Sequence, residues 1–252
     1  MKDQKTGFEI SDLGEASFLL GLGITYTTEG IVLTQELYIG TILSRFGMEN
    51  SNTISTPLPK AITLTKGTME QPKDQVTTYQ SMIGSLMYLV TGTRPDLAYT
   101  ISFLAQFSSY PTEEHIKAAK QVFRYVNGTR NLGLFYTYTT TNAIDVYGDT
   151  DFAGCIDTQR ATSGYIVLFN NCCISWFSKK PSSVAKSSTE AEFVAMAYGT
   201  RHIRCLIKGL TDLRLAAPIA MHADNTGANC LAVNPQIHVR TKHIAVDYFI
   251  TR

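Results

Sequence analysis

Three acidic residues stand at the ends of predicted secondary-structure elements, where they could act together. Asp149 closes the strand-like segment "AIDVYGD", and Asp224 closes "PIAMHAD". Glu192 lies in the first turns of the helix predicted in "KSSTEAEFVAMA", between these two strands. Because strand ends of one sheet and a helix packed across it share one core, the three carboxylates can converge although they are distant in sequence.

A cluster of three carboxylates favours metal-ion chemistry. Like charges in a dry pocket repel each other and buried carboxylates shift toward their neutral form, so a divalent cation relieves the conflict. Oxygen ligands select a hard ion, which makes Mg²⁺ or Mn²⁺ the expected metal rather than Zn²⁺. Two ions about 3.5–4 Å apart can hold the attacking and leaving oxygens of a phosphodiester, so the pattern points to phosphoryl chemistry.

Each acidic residue also has an ordinary structural use. Glu190 and Glu192 can complement the dipole at the start of a helix. Asp224 can cap the next helix, and Asp149 can be a turn residue. These structural uses are more common than a metal site. The spacing alone does not decide between a structural use and a metal site. It also does not decide whether Glu190 or Glu192 would be the metal ligand.

The N-terminal half is predicted to contain a hairpin followed by helices. Residues 17–35 alternate apolar and Thr-rich positions around Thr28-Glu29-Gly30, as a hairpin does, and a helix is expected over residues 37–46. Residues 49–75 contain three prolines with many Ser and Thr, which predicts an extended connection. Further helices are predicted at residues 79–90, 95–107 and 112–126, the last with Thr112 as its cap.

The C-terminal half has the element order of an α/β fold. Short strands are predicted at "LGLFYTY", "AIDVYGD", "GYIVLFN" and "CISWFS", followed by a helix over residues 188–210, the strand "PIAMHAD" and a short helix near residues 227–233. The segment "TYTTTN" interrupts the apolar pattern, so we place a boundary near residues 131–142. The expected units are residues 1–131, an α+β region, and residues 143–252, a mixed sheet with flanking helices.

The composition excludes several classes of protein. With 44% hydrophobic and 17% charged residues, the chain suits a globular fold rather than a disordered one. Lys and Arg number 22 against 21 Asp and Glu, so any nucleic-acid site must be a local patch. The five cysteines include no C-x-x-C pair, and no segment is apolar enough for a secretory signal or a membrane span. We therefore expect an intracellular protein without a membrane partner.

Two long stretches resemble a known family. The run "VYGDTDFAGCIDTQRATSGYIVLFNNCCISWFSKKPSSVAKSSTEAEFVAMA" resembles the ribonuclease H domain of copia-type retrotransposon Pol polyproteins, and "HADNTGANCLAVNPQIHVRTKHIAVDYFITR" continues the match. The segments "FEISDLGEASFLLGLGI" and "YQSMIGSLMYLVTGTRPDLAYTISFLAQFSSYPTEEHIKAAKQVFRYVNGT" are similar to the thumb and connection region that follows the reverse-transcriptase palm. The resemblance covers almost the whole chain, and it implies a reverse-transcriptase tail joined to a ribonuclease H domain.

The resemblance also implies a catalytic site and its cofactor. Asp149, Glu192 and Asp224 match the family's catalytic carboxylates, which hold two Mg²⁺ or Mn²⁺ ions and hydrolyse the RNA strand of an RNA/DNA hybrid during reverse transcription. Glu190 then supports the helix start. The implied partners are the hybrid and, in a full-length polyprotein, the upstream palm. The implied compartment is the cytoplasm, a virus-like particle or the nucleus.

Parts of the family pattern are absent from these residues. The family's fourth carboxylate and the last strand, which precedes it, would follow beyond Arg252, and Asp247 is the nearest remaining candidate. No Y-x-D-D polymerase motif occurs, so we expect no DNA synthesis by this chain in a primer-extension assay. The alternatives to an active nuclease are an inactive retroelement remnant that at most binds nucleic acid, and a connection module that acts only inside a larger enzyme.

Further residues are expected to contact the hybrid. Ser188, Thr189 and Asn225 flank the carboxylates and offer short donors and acceptors for the 2′-hydroxyl of RNA. Helix capping is an equally common use of such residues. Lys186, Lys242 and His243 are expected to contact phosphates, against the alternative of a solvated charged face.

Two aromatic side chains have competing roles. His243 can assist proton transfer to the leaving group, or it can be a structural histidine. Trp176 is expected in a core rather than as a stacking platform for a base. The sequence leaves the role of His243 open.

Overall fold

The computed structural model describes two sheets and the helices packed around them. The described residues are 11–12, 14–59, 62–69, 71–138, 143–151, 161–180, 188–212 and 218–222. The first part of the chain contains strands β1 (Phe18–Leu19), β2 (Leu22–Tyr26), β3 (Gly30–Thr34) and β4 (Leu134–Thr137), with helices α1 (Glu36–Arg45), α2 (Lys73–Gly92), α3 (Ala98–Ala105) and α4 (Glu113–Gly128). The second part contains β5 (Ile144–Asp151), β6 (Thr162–Phe169), β7 (Cys172–Lys179), α5 (Ser188–Asp212) and β8 (Ile219–His222).

The first sheet is built on the predicted hairpin. Strands β2 and β3 pair antiparallel, and Thr27 closes the turn between them. Its Oγ1 accepts the backbone N–H of Gly30 at 3.0 Å and donates to the Gly30 carbonyl oxygen at 2.8 Å. The short β1 adds to β2 through a turn at Leu20 and Gly21, both with positive φ, where a Cβ on Gly21 would overlap the Tyr88 hydroxyl. Glycine is therefore needed at this turn.

Strand β4 belongs to the first sheet although it follows all four of its helices in the chain. Its residues pair antiparallel with β3, from Leu33↔Leu134 to Gly30↔Thr137. The predicted strand "LGLFYTY" is thus confirmed, and its partner lies about a hundred residues earlier in the sequence. The predicted division into residues 1–131 and 143–252 stays a prediction, and β4 lies between these two ranges.

The helices of the first part form one core. Residues on the inward faces of α1 to α4 are fully or almost fully buried, among them Leu43, Leu86, Ile101 and Phe123. Helix α4 begins where its sequence indicated, since the backbone N–H of Thr112 donates to His115 Nδ1 at 2.8 Å. The predicted helix at residues 95–107 forms as a 3₁₀ turn, Pro95–Leu97, followed by α3.

Helix α2 differs from its predicted start. It begins at Lys73 rather than at residue 79, inside the segment that was expected to be an extended connection. The first turns carry mostly exposed polar residues, and the first fully buried side chain of the helix is Tyr79. The helical spacing of apolar residues therefore cannot reveal these turns, because they contact solvent rather than the core.

The second sheet confirms the expected α/β arrangement. Its strand order is β7-β6-β5-β8, with antiparallel pairs except for β5 and β8, which are parallel. Helix α5 packs across β5 and β6, where Gly199 lies next to Val146 and Tyr165. Val146, Val167 and Ile203 form the centre of this core. Among the described residues, none of the helices has the length and apolar character needed to cross a membrane.

The two cores meet along strand β7. Trp176 is partly buried and packs against the core of the first part, and its Nε1 donates to the Val90 carbonyl oxygen of α2 at 2.8 Å. The Tyr136 hydroxyl donates to the Cys173 carbonyl oxygen at 2.8 Å. Beside Trp176 lies an open cavity of about 510 Å³ between α2, α3 and β7. These contacts fix the second sheet against the helices of the first part.

Replacing the tryptophan tests this junction. Trp176→Phe keeps much of the apolar contact but removes the donor to Val90, so we expect the free energy of unfolding to fall by about 1–2 kcal/mol. The measurement is urea unfolding followed by circular dichroism, because the chain has a single tryptophan and the variant loses its fluorescence. Tyr138→Phe, at a 55% exposed position, is the control that should leave the stability unchanged. Equal stability of Trp176→Phe and the wild type would contradict this role for the hydrogen bond.

Candidate active site

The first predicted ligand, Asp149, lies near the end of β5. It is opposite Gly164 of β6, and its side chain is exposed. Its Oδ1 accepts the backbone N–H of the next residue, Thr150, at 2.7 Å. This bond holds the carboxylate close to the strand backbone while leaving it accessible from solvent. The strand therefore presents an oriented anionic group at its carboxyl end.

The second predicted ligand, Glu192, lies in the second turn of α5 and is buried. Its relative exposure is 7%, and its helical neighbours Ala191, Met196 and Ala197 are also buried. Taking a carboxylate out of water is costly unless a cation or hydrogen bonds compensate it. A carboxyl group buried in the second turn of a helix is not an ordinary surface complement to the helix dipole.

A hydrogen bond joins the two elements next to these carboxylates. Thr150 Oγ1 donates to the Ala191 carbonyl oxygen at 3.3 Å, in a buried setting. Thr150 immediately follows Asp149, and Ala191 immediately precedes Glu192. The two elements also lie side by side at Gly148, where an added Cβ would lie 4.0 Å from the Met196 backbone nitrogen, an ordinary contact distance. The structure thus brings the segment of β5 that carries Asp149 against the turn of α5 that carries Glu192.

The remaining predicted site residues are not all described. Asp224, Asn225, Lys186, Lys242, His243 and Asp247 lie outside the described residues, as does the helix expected near residues 227–233. Ser188 and Thr189 begin α5 as expected, but their side chains are outside the described set. Within the described part of the chain, no group of three or more His, Cys, Asp or Glu side chains could hold a metal ion. The convergence of all three carboxylates stays a prediction.

Strand β8 leads the chain toward the third predicted ligand. It pairs parallel with β5 and in register, with Tyr147 opposite His222. The His222 Nε2 lies 2.8 Å from Asp145 Oδ1, and the His222 ring stacks on Tyr147 with a centroid distance of 4.6 Å. These side-chain contacts add to the backbone pairing, so the carboxyl ends of β5 and β8 are held at the same edge of the sheet.

Thr150 and His222 were not singled out from the sequence. A signal for Thr150 exists in the alternation of β5, since Ile144, Val146 and Thr150 are buried on the face toward α5. A polar residue at such an inward position needs a hydrogen-bond partner.

On β6, burial raises the pKa of the Tyr165 hydroxyl, so this core residue under α5 stays neutral.

Comparisons with known proteins give matches along nearly the whole chain. It is 39% identical over 251 residues to "Retrovirus-related Pol polyprotein from transposon RE1" of Arabidopsis thaliana, covering 97% of this chain and 17% of that protein. It is 35% identical over 254 residues to "Retrovirus-related Pol polyprotein from transposon TNT 1-94" of Nicotiana tabacum, covering 98% of this chain and 19% of that protein. This chain therefore spans less than a fifth of the length of these curated relatives.

A shorter relative is covered over most of its length. The chain is 35% identical over 190 residues to "Uncharacterized mitochondrial protein AtMg00810" of Arabidopsis thaliana, covering 75% of this chain and 78% of that protein. No protein-family model and no solved structure matches the chain. The similarity to the two Pol polyproteins thus carries the family assignment.

Proposed function

Because this chain belongs to the copia-type retrovirus-related Pol polyproteins, as a segment of their length, we propose that it contributes the ribonuclease H activity. The proposed reaction is the divalent-metal-dependent, endonucleolytic hydrolysis of the RNA strand of an RNA/DNA hybrid during reverse transcription. The site consists of Asp149, Glu192 and Asp224. Polymerase activity is not proposed for this chain, because it contains no Y-x-D-D motif.

The observation that carries the proposal is the junction of β5 with α5. It sets the Asp149 segment against the Glu192 turn through the bond from Thr150 to Ala191. The parallel register of β8 supports the third position. Tyr147 of β5 pairs with His222 of β8. Asp149 lies two residues after Tyr147, and Asp224 lies two residues after His222.

The donor set fits a hard divalent cation. Asp149 and Glu192 offer only carboxylate oxygens, which suit Mg²⁺ or Mn²⁺. One of them is exposed and the other buried, so a bound ion would be reached from solvent on one side and shielded from it on the other. When bound, two such ions supply the positive charge that stabilises the transition state of phosphodiester hydrolysis.

The chain's own residues would then position the substrate and the carboxylates. Ser188 and Thr189, at the start of α5, are proposed to meet the 2′-hydroxyls that distinguish RNA from DNA, together with Asn225. Phosphate contacts from Lys186 and Lys242 would hold the duplex without reading its sequence. The proposed partners are the hybrid and the palm of the longer polyprotein.

The test is cleavage of a labelled hybrid by the purified chain. With Mg²⁺ or Mn²⁺, we expect cuts in the RNA strand of an RNA/DNA hybrid and none in the same RNA annealed to RNA, since the proposed site contacts 2′-hydroxyls on the cleaved strand and needs a partner strand that lacks them. EDTA should stop the reaction. If the folded chain binds the hybrid but leaves the RNA intact at every metal concentration, the proposal fails for this chain, which is then an inactive remnant or a module that acts only inside a larger enzyme.

A further inference from the structure

Thr150 is a buried polar residue at the junction of β5 and α5. Its relative exposure is 8%, and its Oγ1 lies 3.3 Å from the Ala191 carbonyl oxygen and 3.5 Å from Ser163 Oγ. Ser163, on the neighbouring strand β6, is 2% exposed. Valine has nearly the same shape and would suit a strand position facing an apolar helix better. The hydroxyl is therefore not needed to fill the space.

Both of its polar groups act on segments that carry a proposed metal ligand. The backbone N–H of Thr150 donates to Asp149 Oδ1 at 2.7 Å, and the hydroxyl donates to the carbonyl immediately before Glu192. Thr150 thus orients the exposed Asp149 carboxylate through its backbone N–H. Its side chain anchors the helical turn that carries the buried Glu192.

We propose that Thr150 is a positioning residue, whose hydroxyl fixes the Glu192 turn of α5 against the Asp149 strand so that both carboxylates meet one cation. This inference rests on the proposed function. A metal site requires its ligands in a narrow geometry, and side chains that orient ligands typically change metal affinity by about 10–100-fold when removed. The hydroxyl bond joins residues 41 positions apart, so no local feature of the chain replaces it.

The test measures metal binding by the full chain without substrate. Binding of Mn²⁺ is followed by the electron paramagnetic resonance signal of the free ion, for the wild type, Thr150→Val and Thr150→Ser. We expect about 10-fold weaker binding for Thr150→Val, which lacks the hydroxyl, and binding within about twofold of the wild type for Thr150→Ser, which keeps it. Thr100→Val, at another buried threonine, in α3, is the matched control and should bind Mn²⁺ as the wild type does.

The rescue by serine separates positioning from packing. If a change in core packing rather than loss of the hydroxyl were the cause, Thr150→Ser, which loses the methyl group but keeps the hydroxyl, would bind as weakly as Thr150→Val, and the positioning role would be overturned. Thr150→Ala is measured beside Thr150→Val, so that a variant without the hydroxyl is available if one of them does not fold by circular dichroism. Wild-type affinity in a folded variant lacking the hydroxyl also overturns the inference.

Failure of the inference and failure of the proposed function give different results. If Asp149→Asn loses Mn²⁺ binding while Thr150→Val keeps it, the metal site stands and only the role of Thr150 is wrong. If neither the wild type nor Thr150→Ser binds Mn²⁺, the proposed function fails and the positioning role fails with it.

Discussion

Asp149→Asn and Glu192→Gln are each expected to lower the rate of Mg²⁺-dependent hybrid cleavage by at least about 100-fold. A metal ion contributes several kcal/mol of transition-state stabilisation, and each 1.4 kcal/mol or so corresponds to about a factor of ten in rate. Either substitution replaces a charged ligand by a neutral amide of the same size. The proposed site then holds its cations weakly or in the wrong place.

The loss should not come from unfolding. Asp149 is exposed, and asparagine keeps an oxygen that can accept the Thr150 N–H, so Asp149→Asn should change the free energy of unfolding by less than about 0.5 kcal/mol. Asp212→Asn removes the same charge at an exposed position in the last turn of α5 and should cleave the hybrid at the wild-type rate.

Thermal unfolding with and without Mg²⁺ gives a second readout. A ligand that binds only the folded state raises the melting temperature, so Mg²⁺ should stabilise the wild type and Asp212→Asn but neither site variant. If one of these variants, Asp149→Asn or Glu192→Gln, still cleaves the hybrid at saturating Mg²⁺, the residue that it replaces is not part of the site. Since each variant is tested alone, the result assigns or rejects each carboxylate separately.

Arg94→Met is expected to lower the free energy of unfolding by about 3 kcal/mol. Arg94 lies between α2 and the 3₁₀ turn, and its side chain is fully buried, with 0% exposure. Its Nη2 lies 2.8 Å from Asp96 Oδ2 and also donates to Thr129 Oγ1 at 2.8 Å, while Nη1 donates to the Thr129 carbonyl oxygen at 3.2 Å. The guanidinium thus ties the start of the 3₁₀ turn to the end of α4.

Methionine fills a similar volume but leaves these acceptors without their donor. Breaking a buried ion pair by removing one partner typically costs about 3–5 kcal/mol. The Asp96 side chain is 27% exposed and also accepts a hydrogen bond from the Tyr125 hydroxyl at 2.9 Å, so solvent and Tyr125 compensate part of the loss. The lower end of the range is therefore the expected value.

Urea unfolding followed by far-ultraviolet circular dichroism measures the effect. Arg45→Met, at an exposed position in the last turn of α1, is the control and should change stability by less than about 0.5 kcal/mol. A loss for Arg94→Met no larger than that of the control would mean that the buried guanidinium contributes no net stability. Arg94 lies outside the proposed site. Any loss of hybrid cleavage in Arg94→Met should therefore match the fraction of the variant that is unfolded.

Signals within a few residues predicted the elements well. The hairpin forms at Thr27 and Gly30, and α4 begins after Thr112, because the turn and cap hydrogen bonds join residues only three positions apart. Helix α5 starts at Ser188 as predicted and ends two residues later than expected. The six early residues of α2 were missed because they contact mainly solvent, so they carry no apolar period.

The sequence by itself determined the residue types of the proposed site: carboxylates at element ends, separated by a strand and helix order typical of α/β proteins. Tertiary structure alone decided that β4 joins β3, that Trp176 packs against α2, and that Arg94 is buried. It also decided that Thr150 meets Ala191 beside Glu192. Secondary-structure propensity depends on residues within a few positions of each other along the chain. These contacts join residues that are 35 to over 100 positions apart, so they depend on how whole helices and strands pack.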